Sequence, residues 1–167
     1  TGIMNNALKA DLFPTGTAQA IASMSTLNRM AAEVAHNFTI HACTDVTGFS
    51  LMGHSVEMAS ASKVTIHIKT YDIPLFNDVI EAAQMGLVPA ASYGNRKAIT
   101  DVQVDANLDG VWTDILFDPQ TSGGLLFSVP ATEGPDLVKA LYDVGVEGAT
   151  IVGAVKNFSG LAVRVTK

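Results

Sequence analysis

Residues 42–54 decide the fold, and they read ACTDVTGFSLMGH. The residues that lead into this stretch, 38–42, are apolar and β-branched, which predicts a strand. Asp45 ends the apolar run, Gly48 permits a sharp turn, and apolar residues then recur at helical spacing. The sequence therefore predicts a strand, a tight acidic turn and a helix that ends near residues 60–62.

The predicted turn places one carboxylate and two hydroxyl groups beside backbone N–H groups. Asp45 supplies the carboxylate, and Thr44 and Thr47 supply the hydroxyls. Such a turn can hold a phosphate on its N–H groups and a cation on its carboxylate. An aspartate before a helix is also a common N-cap that contributes about 1 kcal/mol. The residues alone leave both interpretations of Asp45 open.

A second informative stretch, residues 117–126, reads FDPQTSGGLL. Gly123 and Gly124 allow positive φ angles and a close approach to a ligand, while Thr121 and Ser122 offer hydroxyls. Consecutive N–H groups here can form an anion-binding nest. A polar loop before a buried strand explains the same residues. The loop is not a Walker A motif, because no Gly-Lys-Ser/Thr follows the glycines.

Two other kinds of site receive little support from the sequence. His41, Cys43 and His54 are candidate zinc ligands, but no fourth ligand accompanies them. Cys43 is instead predicted to be a small buried strand residue, and His54 is predicted to pack or hydrogen-bond on its helix rather than to act as a base. A serine hydrolase is not supported, because the Gly-x-Ser-x-Gly elbow does not occur.

The remaining hydrophobic pattern predicts a mixture of helices and strands. Further helices are predicted over residues 3–10, 18–36 (capped by Thr17), 75–85, 89–95, 112–117 and 135–142. Further strands are predicted over residues 63–69, 102–104, 124–129, 149–155 and 161–165. The last two strands are separated by a short turn, which is typical of antiparallel pairing. We therefore predict one α+β domain, with a mixed, largely antiparallel sheet layered with helices.

Composition limits the classes of partner. The chain has 167 residues, of which 48% are hydrophobic and only 16% charged, so part of its surface is expected to face a partner. A net charge of −6 and only three arginines argue against nucleic-acid binding. No apolar run reaches the roughly 18 residues of a membrane span. A single cysteine suits the cytoplasm. Because no initiator Met is present, we expect a piece of a longer protein.

Residues 44–54 resemble the T-D-[VI]-T-G-F-G-L-L-G-H motif of the selenophosphate synthetases (selenide, water dikinases). Residues 118–126 match a second motif of that family, and residues 1–9 and, more loosely, 93–96 resemble two further segments. The resemblance covers essentially the whole chain. One departure is Ser50, where the family usually has glycine. We expect this serine to be tolerated because Gly48 still supplies the turn.

The resemblance implies that residues 1–167 form a single C-terminal domain with the fold of the aminoimidazole ribonucleotide synthetase superfamily. It implies a reaction in which ATP, selenide and water give selenophosphate, AMP and phosphate, with Mg²⁺, in a cytoplasmic homodimer. Asp45 then corresponds to a magnesium ligand. The residues implied to contact the nucleotide are Thr44, Thr47, Gly48, Thr121, Ser122, Gly123 and Gly124.

The catalytic Cys or Sec and the Lys of that family lie in an N-terminal, ATP-binding domain that this sequence does not contain. No catalytic residue is therefore expected in this chain, and Cys43 does not correspond to that residue. ATP and selenide would bind through the N-terminal domain, so we expect the isolated chain to be inactive. Two alternatives stay open: another ATP-dependent ligase or synthetase of the superfamily, and a non-catalytic regulatory or oligomerisation domain.

Overall fold

The computed structural model describes residues 1–167 and contains eight α-helices, one 3₁₀ helix and six strands. The helices are α1 Gly2–Lys9, α2 Pro14–Ser25, α3 Arg29–Ala35, α4 Ser50–Ser62, α5 Val79–Gln84, α6 Ala90–Ala98, α7 Gly110–Leu116 and α8 Gly134–Asp143, with a 3₁₀ turn at Thr70–Asp72. The strands are β1 Ala42–Asp45, β2 Val64–Lys69, β3 Val102–Val104, β4 Leu125–Ser128, β5 Gly153–Asn157 and β6 Val163–Thr166. None of the helices combines the length and the apolarity that crossing a membrane requires.

The strands form two sheets. The larger sheet has the order β3-β6-β2-β5, in which β2 is antiparallel to β5 and parallel to β6, and β6 is parallel to β3. The smaller sheet is the antiparallel pair β1 and β4. The prediction of an α+β fold with mixed strand pairing is therefore confirmed. The four pairings divide equally between the antiparallel and the parallel type.

The last two strands do not pair with each other, so the predicted antiparallel ending is wrong. β2 lies between β5 and β6 because it can bury residues on both of its faces, including Thr65, Ile66 and Ile68. The Thr65 hydroxyl donates to the carbonyl of Leu161 at 2.7 Å, which holds the segment before β6 against β2. A strand that is buried on both faces takes the centre of the sheet.

Helix α4 packs on the larger sheet through the largest hydrophobic cluster. Its buried residues Met52 and Ala59 pack with the inner residues of β2 and β6 and with the end of α7. The complete buried set is Met52, Ala59, Ile66, Ile68, Leu116, Phe117, Ala162, Val163 and Val165. A second cluster joins α1, α2 and α5, and a third joins α3 and α8. The largest cluster therefore fixes α4 against the larger sheet.

The single helix predicted over residues 18–36 is two helices, α2 and α3. The helix stops at Thr26, which has an extended backbone and whose hydroxyl donates to the carbonyl of Ala22 at 2.8 Å. Such bonds from Ser and Thr side chains compete with helix continuation. Asn28 then follows the break and donates from its side-chain amide to the carbonyl of Gly123 at 2.8 Å. The residue after the break therefore bonds to a distant part of the chain, and hydrophobic periodicity cannot predict such a bond.

Several other element boundaries differ from their predictions, and the hydrogen bonds explain two of them. β1 begins at Ala42 rather than at residue 38, because the N–H group of Thr39 donates to the Glu133 side chain instead of to a strand. α6 continues through Gly94 and Asn95 to Ala98, since the Asn95 side chain finds its partners outside the helix and does not end it.

The left-handed residue at the start of α4 is Ser50, with φ 68°, and not Gly48. Gly48 lies in the predicted turn, because the N–H group of Ser50 donates to the carbonyl of Thr47 at 2.9 Å across Gly48 and Phe49, but the positive φ falls on Ser50. Ser50 is fully buried, and its hydroxyl has no hydrogen-bond partner. This backbone conformation destabilises a non-glycine residue by about 1–2 kcal/mol. An unpaired buried hydroxyl adds a further desolvation cost.

Replacing Ser50 by glycine should stabilise the protein. Ser50→Gly removes both the strained Cβ and the unpaired hydroxyl, so the free energy of unfolding should rise by about 1 kcal/mol and Tm by about 3 °C. Ser50→Ala removes only the hydroxyl and should give a smaller gain. Urea and thermal unfolding measure both effects. A lower free energy of unfolding for Ser50→Gly than for the unsubstituted protein would show that Ser50 is not strained.

Candidate functional site

The pairing of β1 with β4 brings the two predicted site stretches together. Asp45 lies opposite Leu125 at the end of the pair, and the N–H group of Val46 donates to the carbonyl of Gly124 at 2.9 Å. Beyond this bond lie the first loop, residues 46–49, and the second loop, residues 118–124. The N–H group of Gln120 donates to the carbonyl of Thr47 at 3.1 Å and closes the two loops on each other.

Of the three glycines predicted to serve the site, only Gly123 is required by close packing. A Cβ on Gly123 would lie 2.0 Å from the carbonyl oxygen of Val46. Hypothetical Cβ atoms on Gly48 and Gly124 would meet no heavy atom within 4 Å. The backbone of the second loop therefore lies directly against the first loop at Gly123.

The second loop contains three backbone N–H groups that the chain itself does not use, at the exposed residues Ser122 and Gly124 and at the buried Gly123. The N–H groups of Ser122, Gly123 and Gly124 donate to no acceptor within the chain, whereas Thr121 donates to the hydroxyl of Thr1. Ser122 has φ 46°, so its backbone is left-handed, unlike that of the residues on either side. Successive N–H groups around such a change form an anion-binding concavity. The geometry is compatible with phosphate binding at residues 122–124.

Asp45 does not cap α4, so that interpretation is wrong. α4 begins at Ser50 with Phe49 in the N-cap position and without a side-chain cap, while Asp45 belongs to β1. The Asp45 side chain is exposed and takes part in none of the four ion pairs of the chain. Asp45 therefore presents a free carboxylate at the edge where the two loops meet.

The chain supplies part of a metal site at most. No three His, Cys, Asp or Glu side chains converge anywhere in the structure. Mg²⁺ is usually held by one or two carboxylates, together with waters and substrate phosphates. The free Asp45 carboxylate beside unused N–H donors fits one protein ligand of a phosphate-bound Mg²⁺ ion.

The structure does not assemble the zinc candidates. His41, Cys43 and His54 form no ligand cluster, and His54 is engaged by Thr47 and Glu57 instead. The prediction that Cys43 is buried is wrong, because it lies on the exposed side of β1 together with Asp45. Partial burial and the Asp45 charge raise the pKa of the Cys43 thiol, which disfavours the thiolate.

Sequence reasoning assigned Asp118 only to a turn, but its buried carboxylate anchors the second loop. Asp118 is 3% exposed and accepts hydrogen bonds from the N–H groups of Gly2 at 2.9 Å and Ile3 at 3.0 Å, at the start of α1. Burial raises the pKa of this carboxyl, and the two N–H groups act in the opposite direction. A buried carboxylate held by a helix start fixes where the second loop begins.

Asn95 is a second residue that the sequence-based site prediction missed. It is buried on α6, and its side-chain amide donates to the carbonyls of Gly48 at 2.9 Å and Phe117 at 3.2 Å. One amide thus connects the first loop to the residue that precedes the second. The only sequence signal for this role was the loose match over residues 93–96.

These features define a class of protein: an α+β domain with a candidate anion and cation site between two glycine-bearing loops. Residues 6–166 match the family described as AIR synthase related protein, C-terminal domain. The match covers nearly the whole chain, and the chain belongs to this family.

Several curated relatives carry the name selenide, water dikinase. The protein from Pelobacter propionicus is 44% identical over 158 residues, which cover 93% of this chain and 45% of the relative. Those from Clostridium botulinum (strain Eklund 17B) and Clostridioides difficile are 43% and 42% identical over 156 residues, covering 92% of this chain and 45% of each relative. The resemblance to selenophosphate synthetases is confirmed, and the chain spans about half the length of these relatives.

Gly123 and Gly124 form a matched pair for testing the contact between the loops. Gly123→Ala places a methyl group against the Val46 carbonyl and should lower the free energy of unfolding by about 3 kcal/mol. Gly124→Ala meets open space and should change it by less than about 0.5 kcal/mol. Urea unfolding of both variants provides the measurement. Equal stability of the two variants would show that the loops do not approach each other this closely.

Proposed function

We propose that this chain is the C-terminal domain of a selenophosphate synthetase, a protein that converts ATP, selenide and water to selenophosphate, AMP and phosphate. The main support is that relatives 42–44% identical over nearly the whole chain are named selenide, water dikinase. Independent support comes from the structure, because both motif stretches lie at one end of the same strand pair. The proposal includes a cytoplasmic homodimer that binds neither nucleic acid nor membrane.

The proposed role of this chain is to hold part of a magnesium–ATP complex. Asp45 would bind the Mg²⁺ ion, whose charge stabilises the phosphates during transfer. The unused N–H groups of Ser122, Gly123 and Gly124 would donate to phosphate oxygens. The remaining proposed nucleotide contacts are Thr44, Thr47, Gly48 and Thr121. These groups bind and orient the phosphates, and none of them is placed to act as a base.

The rest of the site is proposed to come from the part of the protein that corresponds to the other half of the relatives. The two loops and the adjoining Asp45 together offer one free carboxylate and no arginine or lysine. Phosphoryl transfer needs several positive groups around the phosphates. Because the chain covers only 45% of each relative, an N-terminal domain is the proposed source of the other metal ligands and of the catalytic groups.

A second candidate function follows from the breadth of the family. Its description names AIR synthase, which is a different enzyme from selenide, water dikinase. Assaying the whole protein with ATP and selenide, and in parallel with aminated nucleotide substrates, separates the two candidates. AMP formation that depends on selenide supports the proposal. Turnover with an aminated nucleotide alone supports another synthetase, and no turnover with either supports a non-catalytic domain.

Removing the Asp45 charge should impair magnesium use without affecting folding. In the whole protein, Asp45→Asn should raise the Mg²⁺ concentration for half-maximal activity and lower kcat, each by about tenfold or more. Tm should stay within about 1 °C because the side chain is exposed and unpaired. Asp143→Asn, which alters an exposed carboxylate on α8, is the matched control. Unchanged magnesium dependence in Asp45→Asn would remove this residue from the metal site.

The isolated chain should not catalyse the reaction. With ATP, selenide and Mg²⁺, residues 1–167 should form no AMP above the uncatalysed rate, because the chain provides one free carboxylate of a site that needs several groups. The whole protein, assayed in parallel, is the positive control. AMP formation by the isolated chain at a rate comparable to that of the whole protein would contradict the half-site proposal.

A further inference from the structure

A chain of hydrogen bonds runs from the first loop along α4. The hydroxyl oxygen of Thr47 lies 3.0 Å from Nε2 of His54, and Nδ1 of His54 lies 3.1 Å from a carboxylate oxygen of Glu57. The His54 side chain is 9% exposed, whereas that of Glu57 is 63% exposed. The three residues connect a buried imidazole to solvent at one end and to the candidate site at the other. We call this set the Thr47–His54–Glu57 relay.

The relay fixes the direction of each hydrogen bond when the imidazole is neutral. A carboxylate can only accept, so the ring hydrogen of His54 lies on Nδ1, which faces Glu57. Nε2 then carries a lone pair and accepts the hydroxyl hydrogen of Thr47. The same tautomer logic orients the histidine of metal and protease sites, where a carboxylate sets which ring nitrogen is free.

The consequence for the first loop is that the Thr47 hydroxyl has no hydrogen left to donate. Its oxygen makes no other hydrogen bond within the chain, so its lone pairs are unused. Such an oxygen can accept from a metal-bound water or contact a hard cation, but it cannot donate to a phosphate oxygen. In the second loop, by contrast, the unused N–H groups are hydrogen-bond donors. The two loops thus offer complementary chemistry to the two parts of a metal–phosphate complex.

We propose that His54, held by Glu57, is a positioning residue that turns the Thr47 hydroxyl so that its oxygen faces the magnesium side of the complex. The proposal refines the role of Thr47: this residue would support the hydrated cation rather than contact a phosphate. The identity of the ligand rests on the proposed function, whereas the orientation of the hydroxyl rests only on the three side chains.

A purely structural role for the relay makes different predictions. The backbone of Thr47 is already fixed, because its carbonyl accepts from the N–H groups of Ser50 and Gln120. Loss of the hydroxyl contact therefore need not move the loop. If the relay only stabilises the fold, its loss should change Tm and leave the magnesium requirement unaltered. If the relay positions the Thr47 hydroxyl, its loss should change the magnesium requirement and leave Tm unaltered.

The tautomer of His54 tests the orientation without any assay of activity. In the whole protein labelled with ¹⁵N-histidine, NMR at neutral pH should show a hydrogen on Nδ1 of His54 and none on Nε2, with the signal assigned by its loss in His54→Gln. Glu57→Ala should weaken this preference, and Asp143→Ala, which removes a carboxylate of similar exposure from another ion pair, should not. A hydrogen on Nε2, in either a neutral or a charged ring, would overturn the proposal.

The magnesium requirement of the whole protein tests the consequence. Thr47→Val and His54→Phe should each raise the Mg²⁺ concentration for half-maximal AMP formation by about tenfold, and the double variant should be no worse than either single variant. Thr47→Ser keeps the hydroxyl and His54→Gln keeps an acceptor, so both should stay within about threefold of the unsubstituted protein. KM for ATP at saturating Mg²⁺ should change little.

The outcomes separate failure of this inference from failure of the proposed function. A protein that forms no AMP with selenide refutes the proposed function, while the tautomer measurement still decides the orientation of the hydroxyl. An active protein in which Thr47→Val raises KM for ATP, and leaves the magnesium requirement unchanged, refutes the inference alone. The inference is also refuted if the double variant raises the Mg²⁺ concentration for half-maximal AMP formation by the product of the two single-variant increases.

Discussion

The candidate site depends on the close approach of the Val46 carbonyl to the backbone of Gly123. Two backbone hydrogen bonds flank this contact, one from Val46 to Gly124 and one from Gln120 to Thr47. Together they continue the β1–β4 pairing beyond the strands and join the two loops. A side chain at position 123 would separate them. Asp45 lies opposite Leu125, the residue that follows the second loop, so the strand pair and this contact together keep Asp45 next to that loop.

Three distant elements hold the loops in this arrangement. Asn95 on α6 and Asn28 before α3 donate to loop carbonyls, and Asp118 accepts from the first N–H groups of α1. These bonds provide partners for the loop carbonyls and for the first N–H groups of α1. In contrast, the Asp45 carboxylate and the N–H groups of residues 122–124, which are proposed to face the ligand, have no partners in the chain. A loop that is fixed before its ligand arrives loses less entropy on binding. The strained, buried Ser50 lies next to this region, as backbone strain often does at functional sites.

The sequence predicted those features that are encoded by local chemistry. The strand, acidic turn and helix of residues 42–54 could be predicted from the alternation of apolar and polar residues, and the two motif stretches from their hydroxyl and glycine content. Long-range partners were not predictable in this way. The helix break at Thr26, the central position of β2 and the bridging role of Asn95 each depend on residues far along the chain. The left-handed conformation of Ser50 could not be predicted from residue type, because glycine is the residue that favours this conformation in general.

The central claim is that the two loops form one half of a magnesium–ATP site. Hydrogen–deuterium exchange of the whole protein, with and without Mg²⁺ and a non-hydrolysable ATP analogue, tests it most directly. The amides of residues 46–49 and of residues 122–124 should both become protected on binding, because unused N–H groups acquire phosphate acceptors or lose access to water. Saturating binding of the analogue with no change in exchange at either loop would contradict the claim.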